Sequence, residues 1–73
     1  METALDLLAL TVNGEAREAP SGLTVLGFVE SLGRHPHTVA VEYNGAILPR
    51  ADYERTRLRD GDRLEIVHFV QGG

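Results

Sequence analysis

Neither cysteine nor lysine occurs anywhere in the 73 residues. Without cysteine there are no disulfides, no thiolate metal sites and no cysteine nucleophile. A side-chain persulfide is excluded too, so any sulfur chemistry must run through another group. The seven basic residues are all arginines, as a general bias towards the guanidinium produces. A chain with a reactive acyl end would also gain from having no amine nucleophile of its own. No apolar run approaches the roughly 20 residues of a membrane span. The opening METALDLLALTV lacks the basic region that begins a secretion signal. The expected setting is the cytoplasm, with no membrane partner. Eleven acidic residues outnumber the arginines and leave a net charge of −4. Nucleic acid requires a basic footprint, so no such partner is expected.

What remains is an ordinary balance for a folded domain, 42% hydrophobic and 25% charged. The length suits one domain with one small core, burying about 60% of the unfolded surface. That leaves little room for a deep catalytic pocket. No repeat, linker or low-complexity tract interrupts the chain.

Leu8, Leu10 and Val12 alternate with Ala9 and Thr11, the pattern of a strand with one face inward. Asn13-Gly14 follows, and both residue types tolerate the positive φ of a tight hairpin turn. Glu15 to Ala19 is the returning strand, weak in β propensity and suited to an edge, and Pro20-Ser21-Gly22 breaks it. Thr24 is a helix N-cap. Val25, Phe28, Val29 and Leu32 then form one apolar face of a helix of about ten residues. Gly33 stops the helix and Pro36 follows. Thr38 to Tyr43 alternates as a third strand, Asn44-Gly45 turns, and Ala46 to Leu48 returns until Pro49. Arg50 to Arg59 is irregular with one helical turn, Asp60-Gly61-Asp62 is a tight turn, and Arg63 to Val70 is the last strand. One helix cannot cover two sheet faces. The expected fold is therefore α+β, a mixed sheet curled around a single helix with its other face open. The apolar N-terminal hairpin and the final strand are placed centrally.

Side-chain chemistry has little support. His35, His37 and His68 lack the further ligands that a zinc site needs, so no metal is expected. Ser21 and Ser31 are the only serines; cap or surface positions account for both, and no catalytic residue is assigned. Arg50, Arg55, Arg57 and Arg59 are interleaved with Asp52, Glu54, Asp60 and Asp62, the composition of a solvated loop. Arg50, restrained by Pro49, is the member best placed to contact an acidic or phosphate-bearing partner.

The sequence closes on Gln71-Gly72-Gly73, directly after the last strand. A C-terminal carboxylate has a pKa of about 3.5 and is a poor electrophile at neutral pH until activated, for example as an acyl-adenylate. Three extended residues project about 10 Å, and glycines let the backbone pass through a narrow channel. A rigid body, a thin tail and a bare acyl end suit a protein that serves as a substrate.

With these features assembled, the chain resembles the ThiS family, the sulfur carrier proteins of thiamine thiazole biosynthesis, which have the ubiquitin-like β-grasp fold. The resemblance rests on Val25-Leu26-Gly27-Phe28-Val29-Glu30-Ser31-Leu32, on Asn44-Gly45-Ala46-Ile47-Leu48-Pro49-Arg50, on Asp60-Gly61-Asp62 and on Gly72-Gly73. It covers Leu8 to Gly73. It implies an extension over residues 1–7, a β-grasp domain over 8–70 and a tail over 71–73. Gly27, where the family more often has a better helix former, and the extension are departures. The resemblance further implies that a ubiquitin-activating-type adenylyltransferase uses ATP to adenylate Gly73. A sulfur donor enzyme then forms a thiocarboxylate, and thiazole synthase receives the sulfur. The chain itself binds no cofactor and is not an enzyme. Gln71 and Gly72 would line the partner's channel. Val67, Phe69, Val70 and Arg50 would dock, the first two on the open face opposite Leu64 and Ile66. The Leu48-Pro49-Arg50 segment favours thiamine over the related molybdopterin carriers. The alternatives are a molybdopterin-type carrier, a modifier conjugated through Gly73, and an interaction module with an incidental diglycine.

Overall fold

The computed structural model describes residues 6–69. Five strands form one mixed sheet: β1 (Leu7–Val12), β2 (Glu15–Pro20), β3 (Val39–Tyr43), β4 (Ala46–Leu48) and β5 (Arg63–His68). The order across the sheet is β2-β1-β5-β3-β4. β1 and β5 run parallel, and the other neighbours are antiparallel. A single α-helix, α1 (Val25–Ser31), packs its apolar residues into the core, and short 3₁₀ turns occupy Pro36–Thr38 and Arg50–Asp52. This is the β-grasp architecture expected of the chain.

Only one arm of the N-terminal hairpin is interior. β5 holds the centre with β1 beside it, whereas β2 is an edge strand. The reason is composition: along Glu15–Pro20 only Ala19 is buried, so β2 has no second apolar face to cover. Both Asn-Gly pairs turn as expected, with φ of 52° and 82° at Asn13-Gly14 and 51° and 90° at Asn44-Gly45.

The helix has seven residues, shorter than the expected ten or so. Its stop is a full C-terminal motif around Gly33, whose φ is +78°. The Gly33 N–H donates to the Glu30 carbonyl at 2.9 Å and the Arg34 N–H to the Val29 carbonyl at 3.3 Å. At the other end, the first three helical N–H groups, which have no intrahelical partner, find acceptors. Val25 donates to the Thr56 carbonyl at 2.8 Å and Leu26 to the Tyr53 carbonyl at 3.0 Å. Gly27 donates to Thr24 Oγ1 at 3.1 Å, and the first intrahelical bond follows, from the Phe28 N–H to the Thr24 carbonyl at 2.9 Å. The segment after β4 therefore caps the helix, although it lacks regular structure. Gly27 also has a packing reason: a Cβ there would lie 2.7 Å from Leu23 Cδ1.

Val25, Val29, Val39, Val41 and Leu64 are the most deeply buried residues. Leu10, Val12, Ala19, Phe28, Tyr53 and Leu58 complete the core, and Leu32 is half-buried at its margin. Tyr53 and Leu58 come from the irregular segment. That segment is held down by Leu58 N–H donating to the Leu23 carbonyl at 3.0 Å and by the Thr24–Arg57 bridge.

The Asp60-Gly61-Asp62 turn sets where β5 begins. Asp60 Oδ1 accepts from the Ala9 N–H at 2.7 Å, the Gly61 N–H donates to the Ala9 carbonyl at 2.7 Å, and the Asp62 carbonyl accepts from Thr11 at 2.9 Å. Asp62 is 7% exposed. Its carboxylate accepts from the Tyr43 hydroxyl at 2.5 Å, Asn44 Nδ2 at 3.1 Å and the Arg59 N–H at 2.7 Å. Burial, then the hydrogen bond to Asp62 and its negative charge, push the Tyr43 phenol up to about 12.

Candidate functional site

The candidate site is the far end of β5 and the open sheet face beside it. β5 is held from both sides. Towards β3 the pairing runs from Tyr43 opposite Leu64 to Val39 opposite His68, and the Phe69 N–H donates to the Thr38 carbonyl at 2.9 Å. Towards β1 the ladder covers only Thr11–Arg63 and Val12–Leu64. The Asn13 side chain then continues it: its Oδ1 accepts from the Ile66 N–H at 2.7 Å and its Nδ2 donates to the Ile66 carbonyl at 3.2 Å. A turn residue thus acts as an extra strand position, keeping β5 paired after β1 has turned away.

The alternation along β5 puts Leu64 and Ile66 towards the core and Val67 and Phe69 on the open face, where they are 56% and 42% exposed. Ile47 of β4 is 73% exposed. Register places the three strands in rows: Ile47 opposite Glu42 and Glu42 opposite Glu65, then Ala40 opposite Val67. The two facing carboxylates thus have Ile47 and Val67 as apolar neighbours and share a groove with Arg63, Asn44 and Gly45. The sequence analysis missed Ile47, Glu42 and Glu65 as site residues; the signal available there was their parity with Val67 and Phe69.

Arg50 lies elsewhere than on this face, yet close to the same end of the sheet. Its Nε donates to the Pro36 carbonyl at 2.9 Å. The Pro36–Thr38 turn thus holds Arg50 through one carbonyl and Phe69 through another. Val70, Gln71, Gly72 and Gly73 lie outside the described residues.

The remaining polar groups are disposed structurally. His35 Nδ1 accepts from the His37 N–H at 3.1 Å, with the two rings stacked at 5.1 Å, and His68 Nε2 lies 3.4 Å from Arg34 Nη1. Among the described residues no three His, Cys, Asp or Glu side chains converge as metal ligands. The Ser31 hydroxyl donates to the Phe28 carbonyl at 2.6 Å. Arg55 pairs with Asp52 at 2.8 Å. Arg55, Arg57 and Arg59 line an open groove with Tyr43, Asn44, Thr56 and Asp62. Arg59 and Asp62 precede the first residue of β5, so this groove sits at the opposite end of that strand from Phe69, about 20 Å away. Among the described residues no helix is long and apolar enough to cross a membrane.

The ThiS family model matches residues 10–73. A crystal structure of the thiamine biosynthesis protein ThiS from Geobacter metallireducens is similar with a TM-score of 0.73 and 34% identity, over 90% of this chain and 100% of that one. Among curated proteins, a thiazole synthase of Paramagnetospirillum magneticum is 41% identical over 66 residues, and one of Magnetococcus marinus is 39% identical over 66 residues. Each alignment covers 90% of this chain, which spans only 20% of the length of these relatives.

Proposed function

Because the chain belongs to the ThiS family, the sulfur carriers of thiamine biosynthesis, we propose that it carries sulfur as a thiocarboxylate on Gly73. The observation that carries this reading is the extent of the family match, which runs through residue 73 and so includes the diglycine. The chain acts as a co-substrate; the catalysis and the ATP site belong to its partners.

In the first step a Gly73 carboxylate oxygen attacks the α-phosphorus of ATP on the adenylating enzyme. The bond to the bridging oxygen breaks and pyrophosphate leaves. The acyl-adenylate then takes a sulfur nucleophile, at the oxidation level of hydrosulfide, on its carbonyl carbon. AMP leaves with the electron pair, and a thiocarboxylate remains. That thiocarboxylate gives its sulfur to thiazole synthase. The acyl carbon holds the sulfur throughout, which a chain without cysteine can accommodate.

The described residues support this role by presenting the tail. β5 is paired on both sides as far as Ile66 and on the β3 side as far as Phe69, so the tail leaves a rigid base. Val67 and Phe69 would rest against the partner, with Val70 beyond them and Arg50 at the neighbouring turn. Gln71 and Gly72 would thread the channel to the nucleotide. The thiazole synthase relatives, which contain a segment like this chain within one polypeptide, favour the thiamine branch over a molybdopterin-type carrier or a protein modifier.

Intact-mass spectrometry of the chain after incubation with the adenylating enzyme, ATP and a sulfur donor tests the proposal. A species about 16 Da heavier, one oxygen replaced by sulfur in ordinary covalent terms, is expected. A ladder of larger protein adducts instead would identify a modifier.

A further inference from the structure

We propose that Asn13 is a positioning residue for the adenylation of Gly73: it fixes the direction in which β5 delivers the tail. The inference rests on the carrier reading above and names a residue that sets its rate. Asn13 has the left-handed φ of 52° that a tight turn demands, and from there it grips β5 three times. Its backbone N–H donates to the Leu64 carbonyl at 2.9 Å, its Oδ1 accepts from the Ile66 N–H at 2.7 Å and its Nδ2 donates to the Ile66 carbonyl at 3.2 Å. One residue thus fills two successive pairing positions on the edge of β5 that faces β1. The second Asn-Gly turn treats the start of the strand in the same way. Asn44, with a φ of 51°, donates its N–H to the Arg63 carbonyl at 2.8 Å and accepts from the Arg63 N–H on Oδ1 at 2.8 Å. Each hairpin therefore contributes one asparagine to the central strand, Asn44 at its entry and Asn13 on the way to the tail.

Only the second of these clamps bears on the chemistry. The β1 ladder ends at Leu64, and among the described residues the Asn13 carboxamide is what holds Ile66 on that edge. Without it the last residues of β5 are bonded along the β3 edge alone, as far as Phe69. A strand bonded along one edge can swing about that edge. Gly73 is seven positions beyond Ile66, about 23 Å when extended, so a swing of about 5° there moves the end of the chain by about 2 Å. The carboxylate oxygen must line up with the α-phosphorus to attack it, and a misplacement of about 1 Å in a reacting group costs up to about a hundredfold in rate. Docking is a separate matter. Val67 and Phe69 stay tied to β3 whatever happens on the other edge, so the variant meets its partner with unchanged affinity but with a misdirected tail.

The test compares the wild-type chain, Asn13→Gly, Asn13→Asp and Asn44→Gly as substrates in ATP–pyrophosphate exchange by the adenylating enzyme, below the melting temperature of each. Both glycine variants keep their turns and remove the same kind of clamp from the same strand. Asn13→Gly should lower kcat at least fivefold with the KM for the carrier within twofold of wild type. Asn44→Gly, which also loses its contact with Asp62, should melt lower than wild type yet keep kcat within twofold. Asn13→Asp retains the acceptor for the Ile66 N–H and loses only the donor to the Ile66 carbonyl, so its kcat should fall between wild type and Asn13→Gly. Should Asn13→Gly fail to fold, Asn13→Asp carries the same comparison against Asn44→Gly. Equal losses of kcat at Asn13 and Asn44 mean a merely structural role and overturn the proposal. So does a kcat within twofold of wild type for Asn13→Gly, or a rise in KM alone, which would assign Asn13 to docking. In those cases wild type still supports exchange and the carrier reading stands. If wild type gives no exchange at all, the carrier reading itself falls, and the role of Asn13 with it.

Discussion

Asn13 and Ile66, 53 residues apart, exchange two hydrogen bonds through the Asn13 side-chain amide. The turn that lets β1 leave the sheet thereby also secures the strand that carries the tail. Asn13 has a φ of 52°, so Asn13→Gly keeps the turn and removes only the clamp. The variant should lose about 1–2 kcal/mol, seen as a fall of about 4–8 °C in melting temperature per kcal/mol for a domain of this size. Amide exchange should accelerate at Ile66 more than at Val41. Equal protection at Ile66 in both proteins would remove the clamp from the account.

Asp62 organises the other end of β5. Asp62→Ala leaves the Tyr43 hydroxyl, the Asn44 amide and the Arg59 N–H without their acceptor. The expected loss is about 3 kcal/mol, measured by urea unfolding. A loss below about 1 kcal/mol would show that water replaces the carboxylate.

The Tyr43 phenol gives that cluster a pH signature. Its pKa is raised above the ordinary 10.0, to about 12, so folding favours the protonated form. This contribution is complete below pH 10 and is lost as the pH rises from about 10 to 12. In a Tyr53→Phe background, ultraviolet titration should find Tyr43 ionising near the upper figure, and adding Asp62→Ala should move it down. An ordinary phenol titration in the folded protein contradicts the assignment.

Gly27 sits in the helix because of Leu23. Ala is worth about 1 kcal/mol over Gly in a helix interior, but its methyl would meet Leu23 Cδ1. Gly27→Ala should therefore gain less than that amount alone and the full amount in a Leu23→Ala background. A double-mutant cycle by chemical denaturation measures the coupling, and strict additivity would show that Leu23 moves aside freely.

Phe69→Glu should weaken binding to the adenylating enzyme about tenfold while leaving the melting temperature within about 2 °C, since an exposed side chain carries little packing. Deleting Gly73 should leave the fold intact and abolish ATP–pyrophosphate exchange. Full exchange after the deletion would end the carrier reading.

The local signals in the sequence carry most of the fold. The two Asn-Gly turns, the Thr24 cap, the Val25-Phe28-Val29 face and the Gly33 stop each depend on neighbouring residues, so short-range chemistry suffices to read them. Strand alternation likewise separates Leu64 and Ile66 from Val67 and Phe69. What escapes is whatever depends on register between distant segments. Tyr53 and Leu58 are core residues in a stretch with no periodicity, and they are buried because that stretch is bonded to the start of the helix, through the Tyr53 and Thr56 carbonyls and the Leu58 N–H. The Glu42–Glu65 pair exists only once β3 and β5 are aligned, and the Asn13 clamp only once β1 lies beside β5. Arg50 was singled out for its proline neighbour, but its placement follows from the Pro36 carbonyl.

The position of β5 has a further consequence for biogenesis. The β1–β2 hairpin and the β3–β4 hairpin share no strand ladder except through it, and it is the last of the five strands to leave the ribosome. A nascent or prematurely terminated product holds two unjoined hairpins and a core without Leu64, with slow, long-range pairing still to come. A product that stops short of β5 therefore cannot assemble the five-stranded sheet or its open face.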